Sequence, residues 1–169
     1  MAEAFAAPLL ALLEERGLTV ATAESLTGGL VVARLVDVPG ASTVVAGGVC
    51  TYSFEAKARI LGLDRADLEA RGAVRESVAV SMARAAQRIY GADVALATTG
   101  VAGPGPDPYG VPAGTAFVAC AVAGSVHVRE LRLTGERACV RAGVVDAALA
   151  LGIEALTSTD AGGVGSEGP

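Results

Sequence analysis

The run Thr22-Ala23-Glu24-Ser25-Leu26-Thr27-Gly28-Gly29 puts a serine where a short apolar segment ends and a helical one begins. A serine on such a turn is lifted off the sheet edge and faces the positive end of the helix. Backbone N–H groups around Thr27, Gly28 and Gly29 could there hold an oxyanion or a phosphate. The logic is that of a nucleophile elbow, without its G-x-S-x-G spelling. A plainer reading has Ser25 or Thr27 simply capping the helix. Glu24 could serve as a catalytic carboxylate, but the sequence offers no obvious second carboxylate to pair with it.

A second group is Thr51-Tyr52-Ser53-Phe54-Glu55-Ala56-Lys57. With Ser53 as helix N-cap, Tyr52 and Lys57 occupy the two staple positions and bring a phenol beside an amine. Lys57 then lies in the first helical turn, where the helix dipole disfavours a cation. Together with burial, this lowers its pKa and frees a neutral amine to act as a base. The chain has twelve arginines and this one lysine. A surface charge could have been arginine, whereas a proton-exchanging amine could not. The competing reading is a packed tyrosine beside a solvated lysine that survived by chance.

The third group, Thr98-Thr99-Gly100-Val101-Ala102-Gly103-Pro104-Gly105, is too glycine-rich to pack a core and would let a ligand approach the backbone closely. It is neither a Walker loop nor the G-x-G-x-x-G fingerprint, and a plain surface loop is the alternative. Arg137 and Arg141, four residues apart, share one helical face and could grip a phosphate or carboxylate, or merely line a solvated face.

The elements that must position these residues follow from periodicity and punctuation. Helices are predicted over 2–16, 28–36, 54–61, 65–69, 76–90 and 136–156. Strands are predicted over 18–23, 42–52 and 93–98, with Gly47-Gly48 marking a bulge or a close backbone approach. A hairpin is predicted over 115–122 and 125–133, turning at Ala123-Gly124. Alternating helices and strands followed by a hairpin imply an α/β fold, a single layered domain with a mixed β-sheet flanked by helices. That domain spans residues 1–157, and the polar, Gly-rich segment 158–169 reads as a disordered tail.

Composition narrows the function. The 169 residues are 52% hydrophobic and 18% charged, with mean hydropathy +0.52, which excludes a disordered chain. No apolar run reaches the ~18 residues of a membrane span, and the N-terminus lacks the basic start of a signal peptide. Net charge −5 argues against a nucleic-acid partner. Cys50, Cys120 and Cys139 form an odd set without C-x-x-C spacing, which suits a cytoplasmic protein. With a single histidine, His127, on an alternating strand-like run, no metal site and no Ser-His-Asp triad is expected.

Four stretches occur in the order found in the CinA C-terminal domain family, and the chain resembles that family from about Leu9 to Leu156. They are Ala23 to Gly29, Gly47-Gly48-Val49 through Tyr52 to Lys57, Gly72-Ala73-Val74, and Thr99 to Pro104. The family includes the stand-alone nicotinamide-nucleotide amidase. The resemblance implies hydrolysis of nicotinamide mononucleotide to nicotinic acid mononucleotide and ammonia, with no cofactor and no metal. It implies Ser25 as nucleophile, helped by Tyr52 and Lys57. It implies substrate contacts from Thr27, Gly28, Gly29, Thr99, Gly100, Gly103, Arg137 and Arg141, and leaves room for a homo-oligomer. Two departures stand out. Leu26 occupies a position where many relatives carry cysteine, which leaves Ser25 as the nucleophile. The loop Gly105-Pro106-Asp107-Pro108-Tyr109-Gly110 replaces a segment that is often richer in glycine and carries a lysine.

Overall fold

The computed structural model describes residues 3–161. Five strands, β1 (Val20–Glu24), β2 (Val45–Cys50), β3 (Val94–Gly100), β4 (Thr115–Val122) and β5 (Ser125–Arg132), form one sheet in the order β2-β1-β3-β4-β5. β1 pairs in parallel with both β2 and β3, while β3-β4-β5 is antiparallel. The mixed sheet expected from the sequence is therefore present. Six helices cover it: α1 (Glu3–Arg16), α2 (Leu30–Val36), α3 (Phe54–Leu61), α4 (Arg65–Arg71), α5 (Glu76–Tyr90) and α6 (Arg137–Ala161).

The period-2 alternation of the strands sorts the core into two unlike layers. One face carries Val20, Val94, Leu96, Val118, Cys120 and Val122, packed with Leu9, Leu13, Val144 and Leu149 of α1 and α6. The other face presents Ala21, Ala23, Ala95, Ala97, Ala119 and Ala121 to Ala79, Met82, Ala83 and Ala86 of α5. Small side chains on both partners let α5 lie close to the sheet, so backbone atoms supply much of the dispersion contact. A chain 4% aromatic can thus still close a core.

Two local devices shape the sheet at the end opposite the carboxyl ends of β1, β2 and β3. Between Val20 and Ala21 the β1–β2 register slips, so that Val20 faces Val45 and Ala21 faces Gly47. The extra residue is Ala46, just before Gly47-Gly48, and a Cβ on Gly48 would run into Thr22 and Val32, so of the two alternatives read at Gly47-Gly48 the close approach is the one found there. At the same end, Ala123 (φ 49°) and Gly124 (φ 79°) form the hairpin turn, both residues in the left-handed region that such turns demand.

Boundaries differ from expectation where local bonding decides them. β2 is shorter than the predicted 42–52, because residues Ala41–Thr43 close into a 3-10 turn first. α2 begins at Leu30 rather than residue 28, because Gly28 (φ 63°) and Gly29 (φ 95°) are left-handed and cannot be helical. α6 runs on through Ser158 to Ala161, past the predicted start of the tail; residues 162–169 lie outside the described residues. No helix among the described residues is long and apolar enough to cross a membrane.

The topology places the site. β1 is flanked by β2 and β3 on either side, and its connection to β2 runs through α2 on one face. The connection from β2 to β3 runs through α3, α4 and α5, and α5 packs on the opposite face. The carboxyl ends of three parallel strands therefore meet at a switch point, where an α/β sheet opens a crevice. Ser25, Thr51 to Ser53 and Gly100 to Gly105 follow those three ends.

Candidate active site

Ser25 leaves the end of β1 with its N–H donating to the Thr98 carbonyl at 3.0 Å, and Gly28 N–H closes the turn onto the Ser25 carbonyl at 3.1 Å. The alternation of the strand sends Glu24 under α2 and Ser25 to the other side, toward α3. Glu24 is buried, and its carboxylate accepts from the hydroxyls of Thr22 (3.3 Å) and Thr27 (2.7 Å) and from the N–H groups of Gly29 (2.9 Å), Val31 (3.0 Å) and Val32 (2.8 Å). The helix N-terminus is therefore satisfied by Glu24. The N-cap is Gly29, with no side-chain cap bond, so neither Ser25 nor Thr27 caps α2.

This corrects the expected oxyanion donors. Gly28 and Gly29 already spend their N–H groups inside the protein, and neither lines the cavity described below. Thr27 is likewise buried behind the turn, its hydroxyl shared between Glu24 and Thr98. The N–H groups of Leu26 and Thr27 have no acceptor among the described residues, and Leu26 lines the cavity. A donor on the residue after the serine is where a nucleophile elbow puts one.

Ser53 caps α3 as predicted, its hydroxyl accepting from Ala56 N–H at 3.0 Å. The helix then carries Lys57 inward, where the side chain is 1% exposed. Its Nζ donates to Thr51 O at 2.6 Å and to Ser25 Oγ at 2.8 Å. Burial away from water pushes the amine down from 10.5 to about 8, against a smaller upward pull from the charge of Cys50. In its neutral form the amine keeps one N–H on Thr51 O and turns its lone pair to the Ser25 hydroxyl, so the same contact serves proton abstraction. The Cys50 thiol, at the end of β2, is held above its ordinary value by partial burial first and by the Glu24 charge second. It is therefore held as a thiol rather than a thiolate at neutral pH.

Tyr52 also lines the cavity but is 63% exposed, and its hydroxyl accepts from Arg137 at 2.8 Å. The phenol and the amine, expected as neighbours, both line the cavity, but no hydrogen bond joins them. The hydrogen bonds of the amine go to Ser25 and Thr51, and that of the phenol goes to the rim.

A cavity of about 530 Å³ opens above Ser25 and Lys57. Its walls include Thr99, Gly100 and Gly103 as expected, and the side chains of Phe54, Val74, Asp107 and Tyr109, which the sequence reading did not select. Phe54 lies one helical turn before Lys57, a spacing that could have flagged it. Its ring sits 6.1 Å from that of Tyr109, whose hydroxyl donates to Glu69 O at 2.7 Å. Thr99 Oγ1 donates to Ala73 O at 2.9 Å, tying β3 to the cavity wall. Arg137 bridges the rim, donating to Gly103 O at 2.7 Å as well as to Tyr52. Arg141 is not in the lining; it donates to Leu26 O (2.9 Å) and Thr27 O (2.8 Å). Among the described residues no group of three His, Cys, Asp or Glu side chains is placed to hold a metal ion.

A family model described as the CinA C-terminal domain matches residues 2–156. A CinA-like protein of Geobacter sulfurreducens is 45% identical over 130 residues, covering 77% of this chain and 32% of that protein. A CinA-like protein of Mycobacterium marinum is 50% identical over 123 residues, covering 72% of this chain and 29% of its own length. The chain thus spans about a third of the length of the curated relatives it matches. Among solved structures, a CinA superfamily protein of Klebsiella pneumoniae superposes with TM-score 0.90 at 32% identity, covering 94% of this chain and 99% of the other. A competence/damage-inducible protein of Agrobacterium tumefaciens superposes with TM-score 0.86 at 35% identity, covering 92% and 95%. The match over nearly all the described residues and the order of the motifs agree, and the chain belongs to the CinA C-terminal domain family.

Proposed function

We propose that this protein is an amidohydrolase that converts nicotinamide mononucleotide to nicotinic acid mononucleotide and ammonia. The observation that carries the reading is the buried Lys57 amine at 2.8 Å from Ser25 Oγ, on the floor of a cavity of about 530 Å³. That volume lies in the usual range for small-molecule sites. The chemistry follows the Ser-Lys form of triad logic. Neutral Lys57 takes the Ser25 hydroxyl proton as Oγ bonds to the carboxamide carbon. The carbonyl π pair moves to oxygen, facing the Leu26 N–H group. The C–N bond then breaks, Lys57 returns the proton to nitrogen, and ammonia leaves. Water attacks the acyl-enzyme, giving a proton to Lys57, and the Oγ–C bond breaks as Lys57 passes that proton to Oγ, restoring the serine and the neutral amine. The Phe54–Tyr109 wall suits a pyridine ring, and Arg137 at the rim suits a phosphate.

The test is ammonia release from nicotinamide mononucleotide by the purified protein and by Ser25→Ala. The parent should turn over, and the variant should lose nearly all turnover while keeping product affinity and melting within a few degrees of the parent. A Ser25→Ala protein that turns over at the parent rate would sink the mechanism.

A further inference from the structure

The two arginines that share one face of α6 do different work. Arg137 reaches the cavity rim, whereas Arg141, one turn further on, is turned onto the back of the Ser25–Gly28 turn. The two hydrogen bonds of Arg141 fall on consecutive carbonyls, Leu26 O at 2.9 Å from Nε and Thr27 O at 2.8 Å from a terminal nitrogen, a planar two-point grip whose geometry a lysine does not reproduce. Gly28 makes room for it: a Cβ there would come within 3.3 Å of the Arg141 terminal nitrogen.

Each of these bonds leads to one of the two unpaired N–H donors. In a trans peptide the N–H points opposite to the carbonyl. Holding Leu26 O therefore fixes Thr27 N–H on the side away from the guanidinium. Holding Thr27 O fixes Gly28 N–H, which donates to Ser25 O at 3.1 Å, and Ser25 O shares its peptide plane with Leu26 N–H. One path is direct and the other passes through a single hydrogen bond. A charged donor on a carbonyl also polarises its peptide and the bonds chained to it, which strengthens the N–H at the far end. On the opposite flank Glu24 holds the Thr27 hydroxyl and the Gly29 N–H, so the turn is gripped from both sides.

We propose that Arg141 is a positioning residue of the nucleophile turn, whose grip on the Leu26 and Thr27 carbonyls fixes the turn and so aims and polarises the Leu26 N–H toward the oxyanion. This rests on the acyl-transfer reading above, and it replaces the expectation that Arg141 binds the substrate's anionic group.

The experiment compares the parent with Arg141→Lys and Arg141→Ala. Ammonia release from nicotinamide mononucleotide gives kcat and KM. Labelling of Ser25 by a fluorophosphonate, read by intact mass, reports formation of a tetrahedral adduct without depending on the natural substrate. Removing an oxyanion donor outright costs about 10²–10³-fold in kcat, so misplacing one should lower kcat about tenfold. KM should stay within about twofold, and the labelling rate should fall in parallel. Ethylguanidinium should restore part of both rates to Arg141→Ala and leave Arg141→Lys unchanged. A raised KM with kcat preserved would make Arg141 a substrate contact and overturn the proposal, as would parent-like kcat and labelling in Arg141→Lys. If Arg141→Ala fails to fold, Arg141→Lys alone decides by the same criteria. A parent that neither releases ammonia nor labels at Ser25 overturns the acyl-transfer reading, and this role with it. An active parent matched by Arg141→Lys overturns only the role.

Discussion

Replacing Lys57 by methionine should abolish turnover and, at the same time, remove a stability cost that depends on pH. The lysine titrates at 10.5 when free in the unfolded chain and at about 8 in the folded protein. Between those values the unfolded chain binds more protons than the folded one, so the parent gains stability as pH rises from about 8 toward 10.5. Below pH 8 the full penalty applies. A shift of this size corresponds to about 3 kcal/mol at pH 7, and by pH 9.5 roughly 2 kcal/mol of it has been relieved. Lys57→Met carries no such term. It does leave the buried Thr51 carbonyl without the donor now at 2.6 Å, a loss of about 1–3 kcal/mol that does not vary with pH. At pH 7 the two proteins should therefore be close in stability.

The informative quantity is the difference between them across pH, because every other titrating group is common to both. Denaturant unfolding at pH 7.0 and 9.5 should show the parent gaining about 2 kcal/mol relative to Lys57→Met. In a domain of this size that is a relative rise in Tm of roughly 4–8 °C. The same titration should appear in the parent's rate. At pH 7 only about a tenth of the amine is neutral, so kcat/KM should climb about tenfold per pH unit below 8 and level off above it. A pH-independent stability difference would mean that Lys57 does not ionise in this window. A rate profile flat from pH 6 to 9 would mean that it is not the base.

Much of this site was legible in the sequence, and what was missed has identifiable physical reasons. Lys57 and Ser53 could be read because capping is local: the cap fixes the helix start, and the start fixes which turn the lysine occupies. Ser25 could be located at a strand end but not distinguished from a cap. Deciding that required knowing that Glu24, just before it on the strand, points to the opposite face and takes the N–H groups of Val31 and Val32. Nothing in the spelling of Glu24-Ser25 states which residue faces which helix. Arg137 and Arg141 illustrate the same limit. Their four-residue spacing places them on one side of α6, yet one turn of helix is enough to send one to the cavity rim and the other behind the Ser25–Gly28 turn. The alanine-rich face under α5 is invisible in composition, because its meaning as a close sheet–helix approach depends on pairing between strands distant in sequence.

Glu24→Gln should lower stability by about 1–3 kcal/mol, because one carboxylate oxygen becomes an amide that faces a backbone donor, at least cost Val32 N–H. Thermal unfolding checks it, and an unchanged Tm would show that the α2 cap does not depend on the second oxygen. The Arg137 prediction concerns the substrate's phosphate and is tested by a cycle rather than by one variant. Arg137 is the first residue of α6, where the helix dipole disfavours a cation, so its contacts with Tyr52 and Gly103 and its place on the cavity rim must offset that. If it also holds the phosphate, Arg137→Met should raise KM for nicotinamide mononucleotide roughly tenfold, the scale of a hydrogen bond to a charged group, with kcat within about threefold. Nicotinamide riboside lacks the phosphate. With it as substrate, parent and Arg137→Met should have nearly equal KM, because the variant has nothing left to lose. An equal KM increase with both substrates would mean that Arg137 only braces the Tyr52–Gly103 rim, and the phosphate would then have to be held elsewhere.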